Sequence, residues 1–468
     1  MLKQLFKPLI FLSILVIAAS ANAQAVQEKP AKEEASAEKD KKDEKKEEKK
    51  WYDFITLSAM TRVRPEIKAN IGFQEGSSHQ ADFIAQKTWI TLTASPLDYL
   101  KGVFTIQDSR LWGGENDSAA GLSTSAEKSQ SLDFREAYLD LGLYQNALHI
   151  LAGRQKIAFG DQRLFGALEW NNVGRSFDAL RVKWDFGINS LNAWSALLTE
   201  TNALDAPQIS AYQDLGESYY NGVYNSTRFS DFLLADIYYA SKINISDSTS
   251  LKHHTVGARI TDRTDNGKTA NNFPLDFTLE GAYQFGVKNS KTVSAYAGAA
   301  ALGYTINGDV KIRIGAEADI ASGDSNSEDT NWETFDNMYP TNHSHYGQGD
   351  VISWQNMLAF SGNVNVMFAK EFSMVLAYWY LSRLTNTDSW YAVSGGANTN
   401  QTWITDANKT VSSSEFLAHE IDLTLKSEIG KYFALEGGYS IVLPGTAPLD
   451  AGNNKPYHFV YLAGTLKF

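Results

Sequence analysis

The chain has 468 residues, with 54 acidic against 42 basic side chains, a net charge of −12 and no cysteine. The acidic balance argues against a nucleic-acid partner. The missing cysteines exclude disulfides, thiol catalysis and cysteine-ligated metals.

Lys3 and Lys7 precede an apolar run at 9–19, and Ala21-Asn22-Ala23 is a small-x-small cleavage signal. Residues 1–23 therefore read as a signal peptide, with Gln24 the first mature residue. No cysteine follows the cut, so the chain is not a lipoprotein. Residues 24–50, with the run "EKDKKDEKKEEKK", carry almost nothing to bury and read as a disordered charged periplasmic tether. The alternative is a charged helix that meets a periplasmic partner or the cell wall. Two leader lysines and a charge-balanced tether leave residues 51–468 with about −14.

That body contains no apolar run long enough for a transmembrane helix. Period two dominates instead. In "DVKIRIGAEADI", Val310, Ile312, Ile314, Ala316, Ala318 and Ile320 share one face, and Lys311, Arg313, Glu317 and Asp319 share the other. Leu180, Val182 and Trp184 likewise oppose Arg181, Lys183 and Asp185, and Ile421, Leu423 and Leu425 oppose Glu420, Asp422 and Lys426. Such strands are about 10–14 residues long, against a usual five or six, and their ends are rich in aromatics. The pattern predicts an all-β fold, a closed antiparallel transmembrane barrel with its apolar face to lipid and its charged face to an aqueous lumen.

Tight turns are expected near 96–98, 144–146, 187–188, 370 and 430, and long loops at 65–81, 111–131, 159–175, 321–352 and 386–414. Short turns on one side and long loops on the other require an even strand count. A strand near 218–229 repairs the parity and gives 18, with 16 the alternative if a weak strand fails. Both termini are then periplasmic. The final alternating strand ends on Phe468, resembling the recognition signal of the barrel assembly machinery. The expected setting is the bacterial outer membrane, with its lipid and lipopolysaccharide as surroundings and a monomer as the assembly.

Several motifs carry a family resemblance. "GRQ" at 153–155, "GDQRLFG" at 160–166, "WNN" at 170–172 and "GRSFDALR" at 174–181 form one block. "ASGD" at 321–324, "TFDNMYPTNHSHYG" at 334–347 and Asp350 form a second. Together they resemble the signatures of the alginate export family of outer-membrane barrels. The resemblance implies an 18-stranded channel whose basic constriction passes an anionic polyuronate.

Arginine suits that task, because its planar fork holds carboxylates and keeps its charge. Several moderate sites in series favour release as well as entry. The candidates are Arg154, Arg163, Arg175 and Arg181, with Arg135, Lys183, Lys311 and Arg313 as further lumen charges. Asp161, Asp178 and Asp185 orient them or tune selectivity. The competing reading is that these arginines only pair with lumen acids and stiffen the wall. Arg154 lies in "LHILAGRQ", which is apolar on both faces and leaves its direction open. The segment 159–175 is expected to fold into the lumen and narrow it, or else to cap the barrel from outside.

The second block offers Asp324, Asp336, His343, His345 and Asp350 as loop-motif residues. His343 and His345 are two apart but have no third ligand, so hydrogen bonding in an ordered loop is favoured over a metal. "SGDSNSED" at 322–329 is acidic enough for calcium but lacks a calcium-loop spacing. No cofactor is otherwise implied, and no hydrolase, metalloprotease or nucleotide motif is present. The sequence thus points to a passive channel for anionic polysaccharide or its oligomers. A porin for other solutes is the nearest alternative, ahead of an enzyme or a surface scaffold.

Overall fold

The structure is a computed structural model that describes residues 51–112, 131–198, 217–245, 250–262, 274–369, 371–393, 395 and 414–468. The signal peptide and tether lie outside the described residues, as does most of the loop expected at 111–131. The barrel is the compact unit Phe54–Phe468.

Among the described residues, eighteen long strands close into one antiparallel barrel. They are β1 (Ile55–Ala69), β2 (Gln80–Leu97), β3 (Leu100–Trp112), β4 (Ser131–Leu143), β5 (Leu148–Gln155) and β6 (Phe177–Phe186). Then come β7 (Asn189–Leu198), β8 (Glu217–Ser230), β9 (Leu233–Ile245), β10 (Ser250–Thr261), β11 (Leu275–Lys288) and β12 (Lys291–Ile306). After β13 (Lys311–Ala321), the two-residue β14 (Asn331–Trp332) lies parallel to β12, inside a loop. The barrel resumes with β15 (Met357–Ala369), β16 (Phe372–Ser382), β17 (Phe416–Ile429), β18 (Phe433–Pro444) and β19 (Tyr457–Lys467). The strand introduced on parity is β8.

Closure is made by β1 with β19, from Met60 opposite Lys467 to Ala69 opposite His458. Phe468 extends it through two main-chain hydrogen bonds with Ala59, of 2.8 and 3.0 Å. No backbone edge is left open toward lipid, as a spanning sheet requires. The loop expected from residue 65 starts only at 70. Pro65 lies inside β1, where the ladder to β19 is interrupted between Val63 and Glu66. A proline brings no donor, and the interruption accommodates it.

Ile55 and Lys467 mark one rim, called here the terminal rim. The connections at 98–99, 144–147, 187–188 and 430–432 lie there and are tight. The opposite, far rim carries the segments 156–176, 322–356 and 383–415. While 325–332 stays at the rim, exposed or paired with β12, much of 156–176 and 333–356, with residues near 390, turns into the lumen. Leu164, Phe165, Phe335, Tyr346, Trp354 and Trp390 form an apolar cluster there, each at most 4% exposed. The outer wall, in contrast, exposes large apolar side chains such as Ile237 at 68% and Leu302 at 56%. An apolar outside around a partly filled interior is the inverse of a soluble sandwich, and it matches a lipid-facing barrel.

Candidate functional site

The lumen side chains divide into a basic patch and a carboxylate-rich brace, both organised by the loop 156–176.

The basic patch begins with alternation. Arg62 and Arg64 on β1 and Lys87 on β2 point inward, toward the main chain at 169–171. Arg62 and Arg64 each donate to the Trp170 carbonyl at 2.6 Å, and Lys87 donates to the carbonyls of Glu169 at 2.5 Å and Asn171 at 3.1 Å. Arg135 on β4 reaches the Glu169 carboxylate at 2.9 Å. The Trp170 ring lies 3.8 Å from the Arg64 guanidinium and stacks on His343 at 3.7 Å. Cation–π contact of this kind fixes both partners. Arg64 pairs with Glu66, while Lys156 lies 3.6 Å from Glu169 and 3.8 Å from Glu136. Arg62, Arg64, Lys87, Arg135 and Lys156 thus gather around Glu66, Glu136 and Glu169, with Lys68 a further 3.8 Å from Glu66. Carbonyl oxygens hold the guanidiniums without neutralising them. Gly174 makes the approach possible, since a Cβ there would lie 1.6 Å from Arg135 Nη1.

Below Trp170 the lumen opens toward the terminal rim into a chamber of about 380 Å3, with Arg62, Lys426, Glu436, Thr465 and Lys467 among its walls. Lys426 and Glu436, opposite each other on neighbouring strands, pair on its wall at 3.2 Å. A solute in this chamber meets Arg62 and Trp170 directly.

The brace lies on the other side of the loop. Arg163 is 4% exposed and binds Glu317, Asp319 at 3.1 Å and the Tyr346 hydroxyl at 3.0 Å. Burial alone would depress its guanidinium, yet Tyr346, Asp319 and Glu317 hold it well above its usual range. Arg259 joins Asp161 and Asp236, both at 2.6 Å, and Tyr238 donates to Glu280 at 2.9 Å. Burial opposes ionisation of Asp161, but Arg259 keeps its carboxyl below the usual range. Two guanidiniums here serve five carboxylates, the reverse of the basic patch.

The remaining candidates fall in several places. Arg175 is half-buried and donates to the carbonyls of Pro340 at 2.9 Å and Gly166 at 3.1 Å. With no carboxylate against it, burial pulls its guanidinium down to about 10. Arg163 and Arg175 therefore fasten the inward loop rather than line an open passage. Arg181 faces inward and donates to Asn192 at 2.7 and 3.0 Å. Lys183 pairs with Asp185 at 2.9 Å near the terminal rim. Lys311 starts β13 at that rim, and Arg313 is held by Asp276 at 2.7 Å.

Arg154 and Asp178 correct the expectation of a lumen position. Asp178 shares a face with Leu180 and pairs opposite Leu197, both exposed on the outer wall. Arg154, opposite Asp178 in the ladder, binds it through Nε at 2.9 Å and Nη2 at 3.0 Å. Gly153, at φ 124°, breaks the local regularity beside it.

The second block anchors the other inward loop. Asp336 meets Lys242 at 2.7 Å and His253 at 3.5 Å. Lys242, with the hydrogen bond from His253, overcomes burial and holds its carboxyl well below the usual range. His343 binds Asp350 at 2.9 Å, while His345 Nε2 meets the Asp161 carbonyl at 2.8 Å. The two histidines thus have separate partners. Burial and the nearby Arg163 bring His345 down to about 4. Asp324 accepts from Asn326 N at 3.1 Å, closing its own acidic loop. Among the described residues no three His, Asp or Glu side chains are grouped to hold a metal.

Sequence reasoning missed Arg62, Arg64, Lys87, Lys156 and Arg259. The spacing in "TRVRPE" put Arg62 and Arg64 on one face, but Pro65 disguised it as a loop start.

A family model described as Alginate export matches residues 54–459. No curated sequence matches the chain. Several solved outer-membrane barrels share the fold at low identity. Pseudomonas aeruginosa OccD3 (OpdP) is 12% identical with a TM-score of 0.57, covering 88% of this chain and 91% of that one. Acinetobacter baumannii OccAB1 is 12% identical with a TM-score of 0.55, over 91% and 99% of the two chains. Pseudomonas aeruginosa OccK2 (OpdF), crystallised in complex with glucuronate, is 10% identical with a TM-score of 0.54, over 88% and 98%.

Proposed function

The chain belongs to the Alginate export family, and from that premise we propose that it is a passive outer-membrane channel for carboxylated sugars, from single sugar acids to short uronate oligomers. The observation that carries this reading is the basic patch, where Arg62, Arg64, Lys87, Arg135 and Lys156 gather around Glu66, Glu136 and Glu169. A carboxylate entering a narrow lumen sheds water. An excess of fixed cations at the patch offsets that cost there. Lys156 keeps part of its surface open to solvent, and Arg62, largely buried, borders the chamber below Trp170; the two form the handover points. Moderate attraction at several points, with no single deep trap, permits release. The glucuronate found with OccK2 is a ligand of this chemical class.

The apolar cluster in the lumen favours single sugars and short oligomers over a thick polymer in the conformation described. In this reading the terminal rim faces the periplasm and the inward loops hang from the outer side. Arginine and lysine at the patch act as selectors, while Arg163 and Arg175 act as fasteners. The test is current block in a planar bilayer. Glucuronate and oligouronates are expected to block chloride current at concentrations where acetate does not, and Arg62→Gln with Lys156→Gln is expected to weaken that block about tenfold. Equal block by acetate would favour a general porin, the second reading.

A further inference from the structure

The outer wall of β9–β15 has a graded surface that the channel function does not use. Across β9–β12 the ladder aligns Tyr239, Val256, Tyr283 and Tyr296 in one outward row. One step toward the far rim, His254 lies opposite Phe285, and Lys252 follows on the same outward face of β10. The Tyr239 hydroxyl meets His254 Nδ1 at 2.8 Å, and the Tyr283 hydroxyl meets Ser294 Oγ at 3.0 Å. With the tyrosine donating, His254 keeps its proton on Nε2, a donor turned away from the pair. Similar exposed pairs recur around the wall at the same end, Tyr378 with His419 at 2.7 Å and Tyr439 with His458 at 3.0 Å. Aromatic rings with polar tips mark the level where apolar lipid gives way to headgroups.

One step below the tyrosine row, toward the middle of the barrel, Ile237, Ala258, Gly281, Gly298 and Ile320 align. The next row contains Ile260, Leu279, Ala300 and Ala318. These rows form an apolar depression of about 750 Å3. Its floor of small residues is not demanded by the barrel. A Cβ on Gly281 would meet only the Ala297 carbonyl, at 4.0 Å, and one on Gly298 would come no closer than 3.6 Å to its neighbours. The dent is therefore spare volume, walled by Ile237 and Ile320 and open to the surroundings.

We infer that this face is a binding site for one lipopolysaccharide molecule, with acyl chains in the depression and a glucosamine phosphate against Lys252 and His254. An ammonium and an imidazole N–H at the head of an apolar groove complement a phosphorylated lipid. The depression spans β9–β15 through five neighbouring strand pairs, roughly 24 Å at the usual spacing. That width fits the several chains of a lipopolysaccharide better than the two of a phospholipid. The placement rests on the reading that the far rim faces the outer leaflet.

The test is native mass spectrometry of the full chain with added lipid A or phosphatidylglycerol. Wild type is expected to retain lipid A through delipidation, and phosphatidylglycerol at least tenfold less. Gly281→Leu with Gly298→Leu fills the floor, and Lys252→Ala with His254→Ala removes the head contacts. Each pair is expected to lower lipid A retention about tenfold while single-channel conductance and heat-modifiable mobility on gels stay unchanged. Equal retention by the filled variant, equal retention of phosphatidylglycerol, or a second copy occupying this face in cross-linking would overturn the proposal. Thiol labelling of Glu328→Cys on intact cells reads the orientation separately, and conductance reads the channel assignment separately.

Discussion

Replacing Arg163 with methionine is expected to release the inward loop without opening the barrel wall. The side chain joins Glu317 and Asp319 in a site where all three are nearly buried. Removing one partner of a buried ion pair costs about 3–5 kcal/mol, because the remaining charge is left uncompensated. The neighbouring anchors Leu164 and Phe165, each 1% exposed, contribute about 1.5–3 kcal/mol apiece by burial. The loss is therefore comparable to what those two side chains together supply. The loop should undock part of the time, so single-channel records should gain frequent openings of larger conductance. The ladders between neighbouring strands are untouched, and heat-modifiable mobility should stay that of wild type. Arg175→Met is the control. It removes a guanidinium held by two carbonyls and strands no carboxylate, so the increase in noise should be smaller. Quiet Arg163→Met channels, or a larger effect from Arg175→Met, would refute the distinction between a fastener held by carboxylates and one held by carbonyls.

Three further outcomes follow from the same geometry. Gly174→Ala places a Cβ onto Arg135 Nη1 and should cut the block by glucuronate, which a dose–response of chloride current reads. Trp170→Ala removes the ring between Arg64 and His343 and should raise conductance while weakening glucuronate block. His345 is held neutral with its folded value near 4, below the usual ~6.5. An undocked loop therefore takes up a proton as pH falls from about 6.5 to about 4, and docking loses up to ~3 kcal/mol across that window. Channel noise should rise over that pH range in wild type and less in His345→Gln.

The wall was more legible than the site, for a physical reason. Strand alternation is local, so Arg181 and Lys183 opposite Leu180 and Val182 announced their directions within a few residues. Loop parity required the strand now seen as β8. Arg154 was ambiguous because its strand is apolar on both faces and Gly153 interrupts it. The roles of Arg163 and Arg175 were hidden by distance along the chain. Their partners Glu317, Asp319 and Pro340 come from another loop and another strand. Nothing local distinguishes an arginine facing carboxylates from one facing water. Arg62 and Arg64 showed the right spacing, but Pro65 argued for a loop, and only the interrupted ladder to β19 reconciles the two.

The most direct measurement is the reversal potential of a single channel under a potassium chloride gradient. The whole chain carries −12, so its net charge alone favours cations. The basic patch predicts the opposite, an anion-selective wild type that shifts toward cations in Arg62→Gln with Lys156→Glu. A cation-selective wild type, or a potential unmoved by that pair of substitutions, would contradict it.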